Sequence, residues 1–323
     1  MELRSMKKVL FLGDPGIDDS LAIMYGLLHP DIDIVGVVTG YGNVTQEKAT
    51  SNAAYLLQMA GREDIPVING AKIPLSGDVT TYYPEIHGAD GLGPIKPPKT
   101  FLPNIKPFCA FFDLLEKYKG ELIIVDAGRS TTLATAFILE KPMMKYVKEY
   151  YIMGGAFLMP GNVTPVAEAN FHGDPIAANI VMKYAKNASI YPLNVTQGAL
   201  ITPEMANIID KQGTGQAKLI KPMIDFYYEN FYKKEYPGIG GSPIHDLLPF
   251  VSFINDSIFE YKKSAVWIST TNDVTRGQSV ADFRKIAEPT RFDGRPIQRI
   301  AVGFNYPAFK EEFMRTILKP DCP

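Results

Sequence analysis

The chain of 323 residues combines 46% hydrophobic with 21% charged residues, a balance that allows a large core and excludes disordered and fibrous proteins. Lys and Arg total 33 against 35 Asp and Glu, with no long block of one sign, which argues against nucleic acids and anionic membranes as partners. Cys109 and Cys322 are too few for a disulfide framework or a zinc site, and no stretch has the length of a secretory signal or a membrane helix, so we expect a cytoplasmic protein.

Short β-rich runs alternate with helical patterns through the first half of the chain. Residues 9–13 are a predicted strand, and residues 20–28 a predicted helix because leucine and methionine recur there at helical spacing. The alternation continues with strands at 31–39, 65–68 and 121–126 and helices at 46–59 and 132–139. This rhythm is typical of a parallel sheet covered by helices on both faces.

The second half keeps the alternation, without repeats or a flexible linker. It contains predicted strands at 150–153, 189–192, 264–269 and 299–304, and predicted helices at 175–184, at 218–236 and in a closing segment to about 318. We therefore expect one α/β domain over residues 1–323, with an open, mostly parallel, Rossmann-like sheet. Two long connections, 70–107 and 236–246, are candidate walls of an active site.

Three aspartates crowd into the turn Asp14-Pro15-Gly16-Ile17-Asp18-Asp19, directly after the first strand. In open α/β sheets, ligand sites lie outside the carboxyl ends of the strands, so these carboxylates should project into that crevice. Like charges this close need a cation or substrate hydroxyls between them, and oxygen ligands favour calcium or magnesium over zinc. Helix capping is the alternative explanation, although it accounts more easily for one aspartate than for three.

The acidic turn resembles the signature D-x-D-P-G-x-D-D of the inosine-uridine preferring nucleoside hydrolases. Four further segments resemble motifs of this family in the same order: 37–43, ending at Asn43; 86–93, around His87; 153–175, with Asn162, Glu168 and Asn170; and Pro243-Ile244-His245-Asp246. The resemblance implies hydrolysis of the N-glycosidic bond of ribonucleosides to ribose and free base, in nucleoside salvage. It also implies a homo-oligomer, a tetramer or a dimer.

Residue roles follow from the same resemblance. It implies a Ca²⁺ site formed by the carboxylates of Asp14, Asp19 and Asp246 and the backbone carbonyl of Thr131. Asp14 matches the general base that activates water, and His245 the general acid toward the leaving base. The substrate contacts implied are Asp18 and Asn170 at the 2′- and 3′-hydroxyls, Asn162 and Glu168 at the 5′-hydroxyl, Asn43 beside the calcium-bound water, and His87 near the base, with Tyr228 or Tyr232 as further candidates.

More ordinary roles are open for several of these residues. Asp246 and Thr131 suit the start of a helix, Asn162 and Asn170 suit turns, and Glu168 suits an exposed surface. The sequence leaves the choice between purine and pyrimidine bases open.

Two positions depart from the family pattern. Leu12 replaces the first Asp of D-x-D, and Arg129 replaces the proline of a G-P-L-T-N segment. A nucleoside-binding protein that has lost turnover through the Leu12 change is therefore an alternative. A magnesium-dependent phosphatase of the haloacid dehalogenase type is a remote one, because its nucleophile would stand where Leu12 does.

Overall fold

The computed structural model describes residues 6–98, 104–286 and 294–318. The strands in this part of the chain are β1 (Lys7–Gly13), β2 (Ile32–Thr39), β3 (Val67–Asn69), β4 (Ile105–Lys106), β5 (Ile123–Asp126), β6 (Glu149–Met153), β7 (Ala188–Tyr191), β8 (Leu200–Ile201), β9 (Ser242–Pro243), β10 (Phe259–Ser264), β11 (Val266–Ile268), β12 (Ser279–Ala281) and β13 (Gln298–Phe304). Nine of them form one sheet in the order β10-β13-β7-β6-β5-β1-β2-β3-β4. Every neighbouring pair in it is parallel except β10 with β13, which confirms the predicted open, mostly parallel sheet.

The helices flank this sheet. They are α1 (Ile17–Leu28), α2 (Gln46–Met59), α3 (Pro84–His87), α4 (Ala110–Lys117), α5 (Thr131–Glu140), α6 (Ala169–Gly173), α7 (Pro175–Tyr184), α8 (Leu193–Thr196), α9 (Pro203–Gln212), α10 (Ile220–Tyr227), α11 (Lys233–Glu235), α12 (Leu247–Ile254) and α13 (Tyr306–Ile317). A π-helical turn, Tyr228–Tyr232, joins α10 to α11. Among the described residues, no helix has the length and apolarity needed to cross a membrane.

Alternating side chains of the central strand β1 pack into two hydrophobic cores, one on each face of the sheet. Val9 and Phe11 of β1 pack with α1 and α12, whereas Leu10 and Leu12 pack with α4, α5 and α7. All four side chains are buried, because a parallel strand covered on both faces is apolar on both. Helices on both sides of the sheet were predicted, and this arrangement confirms them.

Several element boundaries differ from the prediction. The predicted strand at 264–269 is divided, because Phe259–Ser264 belongs to the large sheet and Val266–Ile268 pairs with β12 in a separate small sheet. The predicted helix at 218–236 is interrupted by the π-helical turn. The connection at 70–107, of which residues 99–103 lie outside the described part, contains α3 and β4. The thiol of Cys109 is exposed and free, and Cys322 lies outside the described residues.

Candidate active site

The acidic turn lies at the carboxyl end of β1, where α1 begins. Asp19 accepts hydrogen bonds from the backbone N–H groups of Asp14 at 3.1 Å and Gly16 at 3.2 Å, and from Asn43 Nδ2 at 3.2 Å. Asp19 therefore does stabilise the first turn of α1, as the capping alternative held. These bonds also hold its carboxylate in one place, next to those of its neighbours.

Asp18, Asp19 and Asp246 form a buried acidic group. One carboxylate oxygen from each lies within 4.8 Å of the others, and Asp246 reaches the group from the residue before α12. Burial and the neighbouring negative charges raise the pKa of Asp18 to about 7. Burial raises the pKa of Asp19 to about 6, and burial together with the charge of Asp18 raises that of Asp246 well above its ordinary value.

This donor set fits a hard cation. It offers oxygen atoms only, and Asp18 Oδ1 is buried without a hydrogen-bond partner in the described structure. A metal ion would supply the positive charge that three mutually repelling carboxylates need in order to ionise. The geometry is thus consistent with a metal site, and it does not identify the ion.

Asp14 lies beside this group, and only one of its two carboxylate oxygens has a hydrogen-bond partner among the described residues. Its Oδ2 accepts a hydrogen bond from the backbone N–H of Asn43, while its Oδ1 is buried and unpartnered among the described residues. Gly42 allows this contact, since a Cβ there would overlap the carboxylate. Burial and the charge of Asp19 raise the pKa of Asp14 well above its usual value, and the positive charge of Arg129 opposes the shift.

Arg129 is a buried cation close to the acidic residues. Its Nη2 donates to the carbonyl oxygens of Gly42 at 3.1 Å and Thr81 at 2.8 Å, and its guanidinium carbon lies 5.2 Å from the centre of the Tyr41 ring. Arg129 therefore connects the loop that carries Thr81 with the turn that holds Asp14. A proline at this position would lack both bonds.

A cavity of about 260 Å³ opens over the carboxyl ends of the central strands. Of the residues singled out in the sequence, those that line it are Asp18, Asn43, His87, Asn162, Glu168, Asn170, Tyr232, His245 and Asp246. Asp14 and Asp19 lie behind them, bonded to Asn43. The structure thus brings the motifs from residue 14 to residue 246 together at one place.

Glu168 and Asn170 form one end of the cavity. Glu168 is buried, so the surface-charge alternative is wrong, and its carboxylate accepts from the N–H groups of Gly155 at 2.9 Å, Asn170 at 2.8 Å and Phe171 at 3.2 Å. Asn170 donates through Nδ2 to the carbonyl of Ala127 at 2.9 Å, which leaves its Oδ1 for a ligand.

Asn162 completes this end of the cavity. Its Oδ1 accepts from the N–H of Ala169 at 3.0 Å, which leaves the side-chain NH₂ for a ligand. The three side chains at this end therefore combine a carboxylate, an amide oxygen and an amide NH₂, a set suited to sugar hydroxyls.

Thr131 lies at the start of α5 and lines a second, small pocket together with Leu12 and Arg129. Its hydroxyl donates to Asp174 Oδ2 at 2.7 Å, and its carbonyl accepts from the Thr135 hydroxyl at 2.8 Å. Its contribution of a carbonyl ligand remains a prediction.

Two buried histidines, His87 and His245, line the cavity. His87 accepts the N–H of Ile17 at its Nδ1, at 3.1 Å, which leaves its proton on Nε2. His245 contacts the hydroxyl of Tyr232 through Nε2 at 3.2 Å and that of Thr196 through Nδ1 at 2.9 Å. Burial lowers the pKa of His245 to about 4, and burial with the charge of His245 lowers that of His87 to about 3.

Four aromatic side chains form an aromatic wall of the cavity. They are Tyr227, Phe231, Tyr232 and Tyr236, whose rings contact one another, whereas Tyr83 lines the cavity apart from this wall. Of the two tyrosines considered in the sequence, Tyr232 lines the cavity and Tyr228 does not, since the hydroxyl of Tyr228 donates to the carbonyl of Ile239 at 3.1 Å. The π-helical turn moves the helical phase, so the 3.6-residue period could not select the right side chains.

Comparison with known proteins identifies the family. The sequence profile of the inosine-uridine preferring nucleoside hydrolases matches residues 9–311. The chain belongs to this family. It is therefore a ribonucleoside hydrolase, an enzyme that cleaves N-glycosyl bonds.

Individual relatives agree with this assignment. The chain is 36% identical over 267 residues to uridine nucleosidase 1 of Arabidopsis thaliana, covering 82% of this chain and 79% of that protein. A solved plant nucleoside hydrolase superposes with a TM-score of 0.86 at 31% identity, covering 97% and 99% of the two chains. A purine-preferring ribonucleoside hydrolase from Gardnerella vaginalis gives a TM-score of 0.88 at 28% identity, with 97% and 98% covered.

Proposed function

We propose that this nucleoside hydrolase cleaves uridine and related ribonucleosides to ribose and the free base with the help of a bound calcium ion, in nucleoside salvage. The observation that carries the proposal is the buried group of Asp18, Asp19 and Asp246, which borders a cavity lined by Asn162, Glu168 and Asn170 and by an aromatic wall. The relative named a uridine nucleosidase supports uridine as a substrate.

Asp14, Asp19 and Asp246 would hold the calcium ion, with the carbonyl of Thr131 as a further ligand. Asp18 is grouped with Asp19 and Asp246 but also lines the cavity, and we assign it to the ribose. Calcium prefers oxygen ligands and tolerates irregular geometry, which suits carboxylates that reach the site from a turn and from the residue before α12. When bound, the ion would hold the attacking water and make it more acidic.

Asp14 is the general base in this proposal. Its unpartnered Oδ1 is available to accept a proton from water, while the N–H of Asn43 fixes its other oxygen. A bound cation would keep Asp14 ionised despite its burial, and the ionised carboxylate is the form that can accept a proton.

The ribose would bind at the polar end of the cavity. Asp18 and Asn170 would contact the 2′- and 3′-hydroxyls, and Asn162 and Glu168 the 5′-hydroxyl. A 2′-deoxyribonucleoside lacks one of these hydroxyls and would leave a buried carboxylate without a hydrogen-bond partner, which is unfavourable. Ribonucleosides should therefore be preferred over 2′-deoxyribonucleosides. Negative charge around the sugar also stabilises the positive charge that develops on it in the transition state.

His245 would act on the leaving base. The lowered pKa favours its neutral form, in which one ring N–H donates a hydrogen bond to the base as negative charge develops on it. Full proton transfer, the general-acid role, would require the imidazolium form. His87 and the aromatic wall would pack against the base and keep water from it.

An assay of product release tests this function. The protein is incubated with uridine, inosine and cytidine, with added Ca²⁺ or after removal of metal over a chelating resin, and ribose is measured as reducing sugar. We expect ribose only with metal, and a loss of about 10³-fold or more in Asp14→Asn. No release from any ribonucleoside in the presence of Ca²⁺ would overturn the proposal, and full activity after metal removal would overturn the calcium part.

We also propose a homo-oligomer, a dimer or a tetramer. Large apolar side chains are exposed on α5, with Ile138 at 57% and Leu139 at 58% of their full accessible area, which supports burial against a further copy. Light scattering after size exclusion gives the mass, and a monomer at micromolar concentration would contradict this proposal.

A further inference from the structure

Both ring nitrogens of His245 have a buried side-chain partner. Nε2 lies 3.2 Å from Tyr232 Oη, and Nδ1 lies 2.9 Å from Thr196 Oγ1. Thr196 is fully buried at the end of α8, and it is not among the residues that line the cavity. Thr196 therefore contacts the side of the histidine ring that faces away from the substrate.

The hydrogens of this chain of groups can be assigned by counting donors and acceptors. Among the described residues, Nδ1 of His245 is the acceptor that the buried Thr196 hydroxyl reaches, so this hydroxyl donates to Nδ1. Nδ1 is then without a hydrogen, and the ring carries its hydrogen on Nε2. Tyr232 Oη, which also lies 3.5 Å from Tyr227 Oη, accepts this hydrogen when no substrate is bound, and the leaving base would accept it in the proposed reaction.

We infer that Thr196 is a positioning residue that holds His245 in the tautomer with its hydrogen on Nε2, the nitrogen next to Tyr232 and the cavity. The inference rests on the proposed role of His245 toward the leaving base. A ring with its hydrogen on Nδ1 would point its N–H away from the substrate and present a lone pair to the base, where negative charge develops. Which nitrogen of a histidine carries the proton is set by the partner of the other one.

The surrounding backbone keeps this contact in register. Thr196 follows β7 in α8, whereas His245 comes from the segment between β9 and α12. The N–H of Ile244 donates to the carbonyl of Ala199 at 3.0 Å, and β8 pairs with β9. The two segments are therefore bonded to each other close to the contact: Ala199 lies three residues after Thr196, and Ile244 lies one residue before His245.

Kinetics with two leaving groups test the inference. Thr196→Val keeps the shape but removes the hydroxyl, and Thr196→Ser keeps the hydroxyl. We expect Thr196→Val to lower kcat for uridine by about 10- to 100-fold, and to change kcat for p-nitrophenyl riboside, whose leaving group needs no hydrogen bond, by less than about 3-fold. Thr196→Ser should restore most of the rate on uridine. Equal losses on both substrates, or no loss on uridine, would overturn the inference.

Two controls separate this inference from the proposed function. His245→Ala must show the same dependence on the leaving group, and if it does while Thr196→Val does not, the inference fails and the function stands. Thr316→Val removes another fully buried hydroxyl, one that donates to Glu312 at 3.2 Å, and it should leave the ratio of the two rates unchanged.

A spectroscopic readout does not depend on turnover. The chain has four histidines, so ¹⁵N spectra of the imidazole nitrogens can be assigned with His245→Gln. We expect Nδ1 of His245 to be unprotonated in the wild type and in Thr196→Ser, and a mixture of tautomers in Thr196→Val. A protonated Nδ1 in the wild type would overturn the inference even if the protein hydrolyses ribonucleosides.

Discussion

Removal of metal should make the stability of the protein fall as pH rises. The ordinary pKa of an aspartate is 3.8, whereas burial and neighbouring charge raise that of Asp18 to about 7, and burial raises that of Asp19 to about 6. Between about pH 4 and pH 7 the folded, metal-free protein therefore binds more protons than the unfolded chain. The free energy of unfolding decreases with pH wherever this holds.

The size of the effect follows from Asp18. A pKa that moves from 3.8 to about 7 corresponds to about 4 kcal/mol between the two protonation states. Asp14 and Asp246 shift in the same direction, but the four carboxylates interact, so their contributions do not add. Part of this change falls below pH 5, so we expect a loss of about 3 kcal/mol in the metal-free protein between pH 5 and pH 8. A bound cation stabilises the ionised carboxylates and should remove most of this loss.

Urea denaturation at pH 5, 6, 7 and 8 measures this effect. The samples are the metal-free protein, the same protein in millimolar Ca²⁺, and Asp18→Asn, which keeps the shape of the side chain but cannot ionise. We expect a steep decline in the metal-free wild type, a flatter profile with Ca²⁺, and a smaller decline in metal-free Asp18→Asn. A metal-free wild type that is as stable at pH 8 as at pH 5, or a variant with the same slope, would refute the reasoning.

Three further substitutions have defined outcomes. Gly42→Ala should displace the Asp14 carboxylate and lower kcat on uridine by about 100-fold. It should also lower the free energy of unfolding by about 1–3 kcal/mol. An unchanged kcat would contradict the close contact between Gly42 and Asp14. Arg129→Met should lower the free energy of unfolding by about 2 kcal/mol in urea denaturation, because two backbone carbonyls lose their hydrogen-bond donor. Calorimetry should show tighter Ca²⁺ binding to this variant, because a nearby positive charge is removed. Weaker Ca²⁺ binding would contradict this expectation. Burial opposes ionisation of Glu312, but His29 at 3.3 Å and hydrogen bonds from Arg315 outweigh it and lower the pKa of Glu312 to about 2. Glu312→Gln should therefore cost about 1–2 kcal/mol at pH 7, with the difference shrinking as pH falls from 4.5 toward 2; a constant difference would contradict it.

The fold could be predicted where hydrophobic pattern and burial coincide. The strands β1, β5 and β6 are continuous apolar runs because helices cover both faces of the sheet, so the sequence is unambiguous there. Short elements such as α3 and β4 were missed, since four- and two-residue segments depend on tertiary contacts rather than on period. The helix α9 was missed although its start is marked by a capping Thr202 and a proline after it.

Some residues of the site could be predicted from the sequence, and others could not. Motif residues such as Asp18, Asn43 and Asn170 could be expected to meet, because each follows the carboxyl end of a parallel strand. Tyr83 lies in the 70–107 connection, which was predicted as a wall of the site, but nothing in the sequence selected this residue within it. Thr196 follows the carboxyl end of β7, yet it lies behind His245 and does not line the cavity, so its position in the sequence could not indicate its partner.

The position of Leu12 bears on whether this chain turns over its substrate. Leu12 is buried in the core with α5 and α7, on the face of β1 opposite to Phe11, and it is not among the residues that line the cavity. Its neighbour across the sheet is Asp126 of β5, whose carboxylate accepts from the Ser130 hydroxyl at 2.7 Å just before α5. A carboxylate is therefore present beside position 12, at the base of the loop that leads to Thr131. The alternative of a nucleoside-binding protein without turnover depended on the acid missing at Leu12. Since the carboxylates that could hold a metal and those that line the cavity are all present, and position 12 faces the core, the change gives no physical reason for lost catalysis.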